Sequence, residues 1–120
     1  MHTVSKDFSF EAGHALNPRL LGPKHKCCRP HGHSYRVRIF CVAHDLDFRG
    51  FVVDYAEISA AVDPLIAQLD HQFLNDILPF HTTAENLAQW FHDELIEKLP
   101  TLSRVDVFET PKTCCSYQPS

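Results

Sequence analysis

Between residues 27 and 33 the chain reads Cys-Cys-Arg-Pro-His-Gly-His, a concentration of sulfur and nitrogen donors in a short stretch. Side chains alternate across an extended backbone, so His31 and His33 share one side of a strand with a single glycine between them. That spacing suits a divalent metal: imidazole nitrogens are donors that zinc accepts, and Gly32 leaves the backbone free of a bulky side chain. Cys27 stands four positions before His31 and is either a further ligand or a reactive thiolate. Two solvated histidines in a turn would give the same pattern, so the reading depends on what else the chain brings to this place.

Alternation over residues 3–15 predicts a half-buried strand, with Val4, Phe8, Phe10, Ala12 and His14 on one parity and Ser5, Asp7, Ser9 and Glu11 on the other. His14 lies on the apolar side near the end, as a core histidine bonded to a carbonyl or as a third donor. The same period returns over residues 34–44, where Tyr35, Val37, Ile39, Cys41 and Ala43 oppose Arg36 and Arg38. Run backwards, that parity places His31 and His33 with Tyr35. If the two strands form an antiparallel hairpin, His14 meets the pair at one end of it. Three imidazoles leave one corner of a tetrahedral zinc open, whereas a fourth bond from Cys27 closes the site and makes it structural. A free Cys27 beside an electropositive centre is instead activated as a base or nucleophile. Residues 16–30 carry Asn17, Pro18, Gly22, Pro23 and Pro30 and predict a loop of about fifteen residues. Its Lys24, His25, Lys26 and Arg29 suit an anionic substrate group, and a solvated basic loop accounts for them equally well.

The second half reads as support for these groups. Residues 45–50 predict a turn and residues 51–53 a short extended run. Asp54 can cap a helix whose apolar positions are Ile58, Ala61, Val62, Leu65, Ile66 and Leu69, with Pro64 expected to bend it. Asp70 and His71 follow. Thr82 and Glu85 have capping-box spacing before a second amphipathic run of Ala84, Leu87, Ala88, Phe91, Leu95 and Leu99, which gives Glu85 a structural role, and Pro100 stops this helix. A strand over residues 104–110 puts Val105, Val107 and Glu109 on one side. A carboxylate continuing an apolar face is costly to bury unless donors or a cation meet it, so Glu109 belongs to an exposed strand end or to a ligand pocket. Residues 114–117 complete the pattern as a short strand, giving the order ββααββ.

With 120 residues, 44% hydrophobic and 22% charged, the expectation is one domain over residues 1–120 with one core, small enough that an oligomer would usefully bury more surface. A net charge of -4 gives no reason to bind nucleic acid or an acidic membrane surface. Five cysteines, four of them in the adjacent pairs Cys27-Cys28 and Cys114-Cys115, make no spaced disulfide framework. No cationic and apolar leader opens the sequence, and no run approaches the roughly 18 apolar residues of a spanning helix. A reduced, cytoplasmic protein is expected, with a secreted domain carrying an odd thiol as the competing reading.

Phe10-Glu11-Ala12-Gly13-His14, then Cys27 ahead of His31-Gly32-His33, Gly50-Phe51-Val52-Val53-Asp54, Leu69-Asp70-His71, Leu74-Asn75, Thr83-Ala84-Glu85-Asn86-Leu87 and Glu109-Thr110 follow one another over nearly the whole chain. In this order they resemble the pattern of the 6-pyruvoyl-tetrahydropterin synthase superfamily. The three residues between Cys27 and His31 resemble the bacterial 6-carboxytetrahydropterin synthases of queuosine biosynthesis rather than the animal pyruvoyl enzymes, where the gap is longer. The resemblance implies an α+β tunnelling fold (T-fold), an antiparallel four-stranded sheet with two helices on one face, assembled as a homo-hexamer built as a dimer of trimers. It implies zinc on His14, His31 and His33, Cys27 as the proton-abstracting base, Asp70 and His71 assisting it, and Glu109 anchoring the pterin. Thr83 and Glu85 join Glu109 in the implied substrate-binding set, and Cys27 and His71 need not come from one chain.

The implied reaction converts 7,8-dihydroneopterin triphosphate to 6-carboxy-5,6,7,8-tetrahydropterin with release of acetaldehyde and triphosphate; the alternative is triphosphate elimination to the pyruvoyl product. Lys24, Lys26 and Arg29 are expected at the phosphates. Thr82 departs from the family pattern, which has proline there, and is expected to affect only the start of the helix. From the residues themselves two other classes stay open, a non-catalytic zinc-stabilised binding module with Cys27 as fourth ligand and a metal-dependent hydrolase.

Overall fold

Two thirteen-residue strands set the architecture of the computed structural model, which describes residues 1–120. β1 (His2–His14) and β2 (His31–Ala43) pair antiparallel without a break, from His2 opposite Ala43 to His14 opposite His31. The alternation read from the sequence becomes an alternation of burial: Phe10, Ala12, Tyr35, Val37, Ile39 and Cys41 are buried, while Ser9, Glu11 and Ser34 are exposed. The predicted loop between these strands contains a short helix, α1 (Pro18–Leu21), started by Asn17 and Pro18, and a 3-10 turn over Lys26–Cys28.

The sheet has five strands rather than the expected four, in the order β3-β1-β2-β4-β5. β4 (Leu102–Thr110) and β5 (Thr113–Tyr117) continue it antiparallel beyond β2. β3 (Gln72–Phe73) lies parallel to β1 at Ala12 and Gly13, so the sheet is mixed and the expected order ββααββ is incomplete. Two residues are too few to show a period of two, which is why no signal announced this strand.

The long helices α2 (Tyr55–Leu69) and α4 (Ala84–Leu95) pack on one face of the sheet, and a four-residue helix, α3 (Leu74–Ile77), lies between them in sequence. Asp54 caps α2 by accepting the N–H of Ala56 at 2.8 Å. Pro64 was expected to bend α2, which runs through it as one element; Pro64 and Ala60 are both exposed, so the carbonyl deprived of its partner faces water. Val52 and Val53 pack against the core from a bend instead of an extended run. The cap of α4 is Thr83, whose hydroxyl accepts the N–H of Asn86 at 3.2 Å. The cap is therefore displaced by one residue from Thr82, and the box expected of Thr82 and Glu85 does not form.

Twenty buried apolar residues form one cluster between the helices and the sheet. The opposite face is charged: Arg38 grips Asp7 through two bonds of 2.7 and 3.0 Å, Arg104 grips the buried Asp106 through two of 2.8 Å, and Arg36 lies over the ring of Phe108. No helix is long and apolar enough to cross a membrane.

The cap assignment makes a prediction. Thr83→Ala lowers stability by about 1 kcal/mol in urea unfolding, the usual cost of a lost hydroxyl cap, while Glu85→Gln stays within roughly 0.5 kcal/mol of the parent as an exposed substitution outside the cap. Equal losses in the two variants would restore the expected box.

Candidate metal centre and active site

The register that sets His14 opposite His31 brings three imidazoles to one end of the hairpin, and one donor atom from each of His14, His31 and His33 lies within 4.8 Å of the others. His14 is 1% exposed, and the other two are half-buried. Nδ1 of His14 lies 2.8 Å from the carbonyl of Thr82 and 3.2 Å from its hydroxyl. The carbonyl can only accept, so Nδ1 carries the proton and donates it, which leaves Nε2 with a lone pair. That Nε2 is buried without a hydrogen-bond partner. His31 is fixed in the same sense, with Nδ1 2.7 Å from the carbonyl of Arg29.

Glu109 completes the arrangement: its Oε2 lies 3.4 Å from Nε2 of His14 and 3.5 Å from Nε2 of His33. A lone pair and a carboxylate oxygen that converge without a proton between them repel, and a cation relieves the repulsion. The donor set fits a divalent metal of nitrogen preference, with the backbone carbonyls orienting the rings from behind. The sulfur of Cys27 is outside this cluster. Cys27 lines a cavity of about 440 Å³ with Lys26, Arg29, His31 and His33.

Burial pushes the pKa of His14 down to about 4, opposed by its bond to Thr82 and reinforced by His31 and His33. Burial also lowers His33, with His31 adding to it, and raises Glu109, with the negative charge of Glu85 adding to that. Glu85 and Glu109 border a small cavity of about 150 Å³ with Cys115, so Glu85 lies near the site although its part in the cap is absent. Thr83 is occupied as the cap of α4.

Asp70 and His71 are held by β1. Asp70 accepts the N–H of Glu11 through Oδ1 at 2.9 Å and meets Nδ1 of His71 through Oδ2 at 3.0 Å. The Glu11 bond first, and His71 second, keep the Asp70 carboxyl below the usual carboxylate range. The N–H of His71 donates to the carbonyl of Glu11, and its backbone adopts φ 60°, a left-handed conformation uncommon outside glycine. The imidazole is 78% exposed. It borders a groove lined by Glu11, Gly13, Gly32 and Ser34, whose parity opposes that of His14, His31 and His33. His33 borders both cavities, but His71 and Cys27 line different ones.

Three contributors escaped the sequence reading. Thr82 is fully buried against His14, so its effect reaches beyond the start of α4. Asn75 both accepts from the N–H of Ala15 at 2.9 Å and donates to its carbonyl at 2.8 Å, clamping the residue next to His14. Tyr35 stacks on Phe10 with ring centroids 4.7 Å apart and turns its buried, unpartnered hydroxyl into the same region; burial and the charge of Glu109 raise its pKa. Asn75 left a trace in its Leu-Asn motif and Tyr35 in the parity it shares with His31 and His33, whereas nothing in the sequence signalled the bond of Thr82 to His14.

The depressed His14 gives a pH dependence. In metal-free protein the folded state keeps His14 neutral down to about pH 4, while the unfolded chain takes up the proton near 6.5. The unfolded state thus binds more protons over that interval, and stability present above 6.5 declines as pH falls through it. The contribution is on the order of 2–3 kcal/mol. Urea midpoints measured in chelator from pH 7 down to about pH 4.5 should fall less steeply for His14→Gln than for the parent; parallel slopes would remove the assignment.

The family model for 6-pyruvoyl tetrahydropterin synthase matches residues 3–120. The chain is 39% identical to the 6-carboxy-5,6,7,8-tetrahydropterin synthase of Synechocystis sp., over 98% of this chain and 93% of that protein. It is 31% identical to the protein of the same name from Bacillus subtilis, over 97% of this chain and 84% of that one. The structure of Caenorhabditis elegans 6-pyruvoyl tetrahydropterin synthase superposes with a TM-score of 0.87 at 25% identity, covering 99% of this chain and 96% of that chain. The match of sequence, fold and length agrees with a histidine triad assembled at the end of a long hairpin: the chain belongs to the 6-pyruvoyl tetrahydropterin synthase family.

Proposed function

We propose that this pterin-processing lyase is a zinc-dependent 6-carboxy-5,6,7,8-tetrahydropterin synthase, acting on 7,8-dihydroneopterin triphosphate and releasing acetaldehyde and triphosphate. The names of its relatives and the three-residue gap before His31 support the carboxy product over the pyruvoyl one. The observation that carries the reading is the imidazole cluster with an orphaned, buried lone pair, beside a thiol that takes no part in it.

His14, His31 and His33 would hold zinc, which as a Lewis acid makes the protons of the substrate side chain easier to remove. Cys27 stands in the same cavity as two of these imidazoles, which supports it as the proton-abstracting base. Its place outside the donor cluster speaks against the binding module in which sulfur is the fourth ligand. Glu109 would accept the paired N–H groups of the pterin edge, with Glu85 bordering the same small cavity and Thr83, the cap of α4, completing the proposed substrate set. Asp70 orients His71, which relays a proton. That His71 and Cys27 line different cavities of one chain supports a site in which His71 comes from a neighbouring copy, as the family resemblance implies. The proposed working form is a homo-hexamer, which the family resemblance implies, of chains whose residues 1–120 act as one unit in the cytoplasm.

The test is incubation of zinc-loaded protein with dihydroneopterin triphosphate and identification of the product by mass. Cys27→Ala should lower kcat/KM by about 10²–10⁴-fold, the range for a lost general base, with zinc content unchanged. Retained activity would point to zinc-bound hydroxide as the reagent, and lost zinc to a sulfur ligand. Mixing Cys27→Ala chains with His71→Ala chains, each inactive alone, should restore activity at about one quarter of the sites if every site draws on two chains at random. No recovery would put both groups in one chain.

A further inference from the structure

Of the eleven lysines and arginines, four arginines are paired and seven cations are not; Lys6, Lys98 and Lys112 of the unpaired seven are scattered over the chain, and the other four fall in one segment. Arg36, Arg38, Arg49 and Arg104 each approach a carboxylate, at 4.0, 2.7, 2.8 and 2.8 Å. Arg19, Lys24, Lys26 and Arg29, all between the two long strands, take part in no ion pair. Two members of this unpaired set, Lys26 and Arg29, line the cavity that also holds Cys27, His31 and His33, and no acidic residue lines it. Positive charge without a counter-charge, at the wall of a cavity, creates a field that concentrates anions.

These cations stand on ordered backbone. The 3-10 turn Lys26–Cys28 is closed at its start by the His25 ring, which accepts the N–H of Cys27 at 3.1 Å. The N–H of Arg29 donates to the carbonyl of Lys26 at 3.2 Å, and the carbonyl of Arg29 receives Nδ1 of His31. The N–H of Leu16 donates to the carbonyl of Cys27 at 2.8 Å, tying the turn to the end of β1. One short, ordered backbone segment thus carries two cations, the thiol and an imidazole together. Glu109 approaches the cluster at His14 and His33, whereas Lys26 and Arg29 share their cavity with His31 and His33. The imidazoles adjoin a carboxylate through His14 and His33 and a cation-lined cavity through His31 and His33.

We infer that Lys26 and Arg29 form a subsite for the oligophosphate chain of the substrate and fix its direction: pterin toward Glu109, side-chain hydroxyls at the imidazoles, phosphates at the 3-10 turn. Arginine offers a planar fork that matches phosphate oxygens, and lysine a point charge that follows them. The subsite makes the phosphates the feature by which phosphorylated pterins are selected over dephosphorylated ones. The identity of the organic part rests on the function proposed above, whereas the anion subsite is a property of the turn.

Two measurements keep these apart. Calorimetry of metal-free protein with inorganic triphosphate excludes chelation as the source of the signal. Lys26→Ala and Arg29→Ala should each weaken this binding about ten-fold and the double variant about a hundred-fold, with a steep dependence on salt in the parent. Lys98→Ala, on the helix side of the molecule, serves as the control and should leave it unchanged. In zinc-loaded protein, the double variant should lose a similar factor in kcat/KM for dihydroneopterin triphosphate, chiefly through KM, and bind unphosphorylated 7,8-dihydroneopterin as the parent does. A double variant that binds inorganic triphosphate as tightly as the parent overturns the subsite, as does equal weakening toward 7,8-dihydroneopterin. Loss of triphosphate binding in a protein that neither binds nor converts pterins would sustain the subsite and sink the pterin reading.

Discussion

One hydrogen bond, from Nδ1 of His14 to the carbonyl of Thr82, governs what the end of the hairpin can do. It joins the last residue of β1 to the segment that starts α4, and by placing the proton on Nδ1 it turns a lone pair toward the other imidazoles. A buried imidazole without that bond could present either nitrogen. The neighbouring contacts serve the same end: Asn75 clamps Ala15, Asp70 and His71 hold Glu11, and His81 accepts the N–H of Asn17 while Asn86 secures the carbonyl of His81. The segment between α2 and α4 is thus a brace for the last turn of β1, and its polar groups spend their hydrogen bonds on backbone.

The two faces of the sheet divide the labour. One carries the apolar residues that bind α2 and α4, and its pattern runs through Tyr35 to the imidazoles, so the core and the histidine triad share one parity. The other carries Asp7, Arg38, Arg104 and Asp106 in close pairs, which satisfy their charges locally. Lys26 and Arg29 stay outside this pairing and line the cavity that holds Cys27.

What could be read from the sequence followed from periodicity. The alternation of β1 and β2 and the parity of His14, His31 and His33 were legible because each extends over many residues, and the apolar run ending in Glu109 was legible for the same reason. β3 was not, since Gln72 and Phe73 carry no period. Thr82 and Thr83 are chemically equivalent as caps, and geometry alone chose Thr83. The hold on His14 passes through a main-chain carbonyl, which no side-chain code records. Asp106 sits on a parity that reads as solvent-facing, and its burial follows from the Arg104 fork closing over it.

β3 meets β1 only at Ala12 and Gly13. Below that point, from His2 to Phe10, the outer margin of β1 has no neighbouring strand, and β5 closes the sheet on its far side with a second bare margin. Main-chain groups along such margins remain bound to water or to whatever extended segment arrives. Taken singly, the molecule is a tile with two unglazed borders, open to water or to an extended segment of another chain.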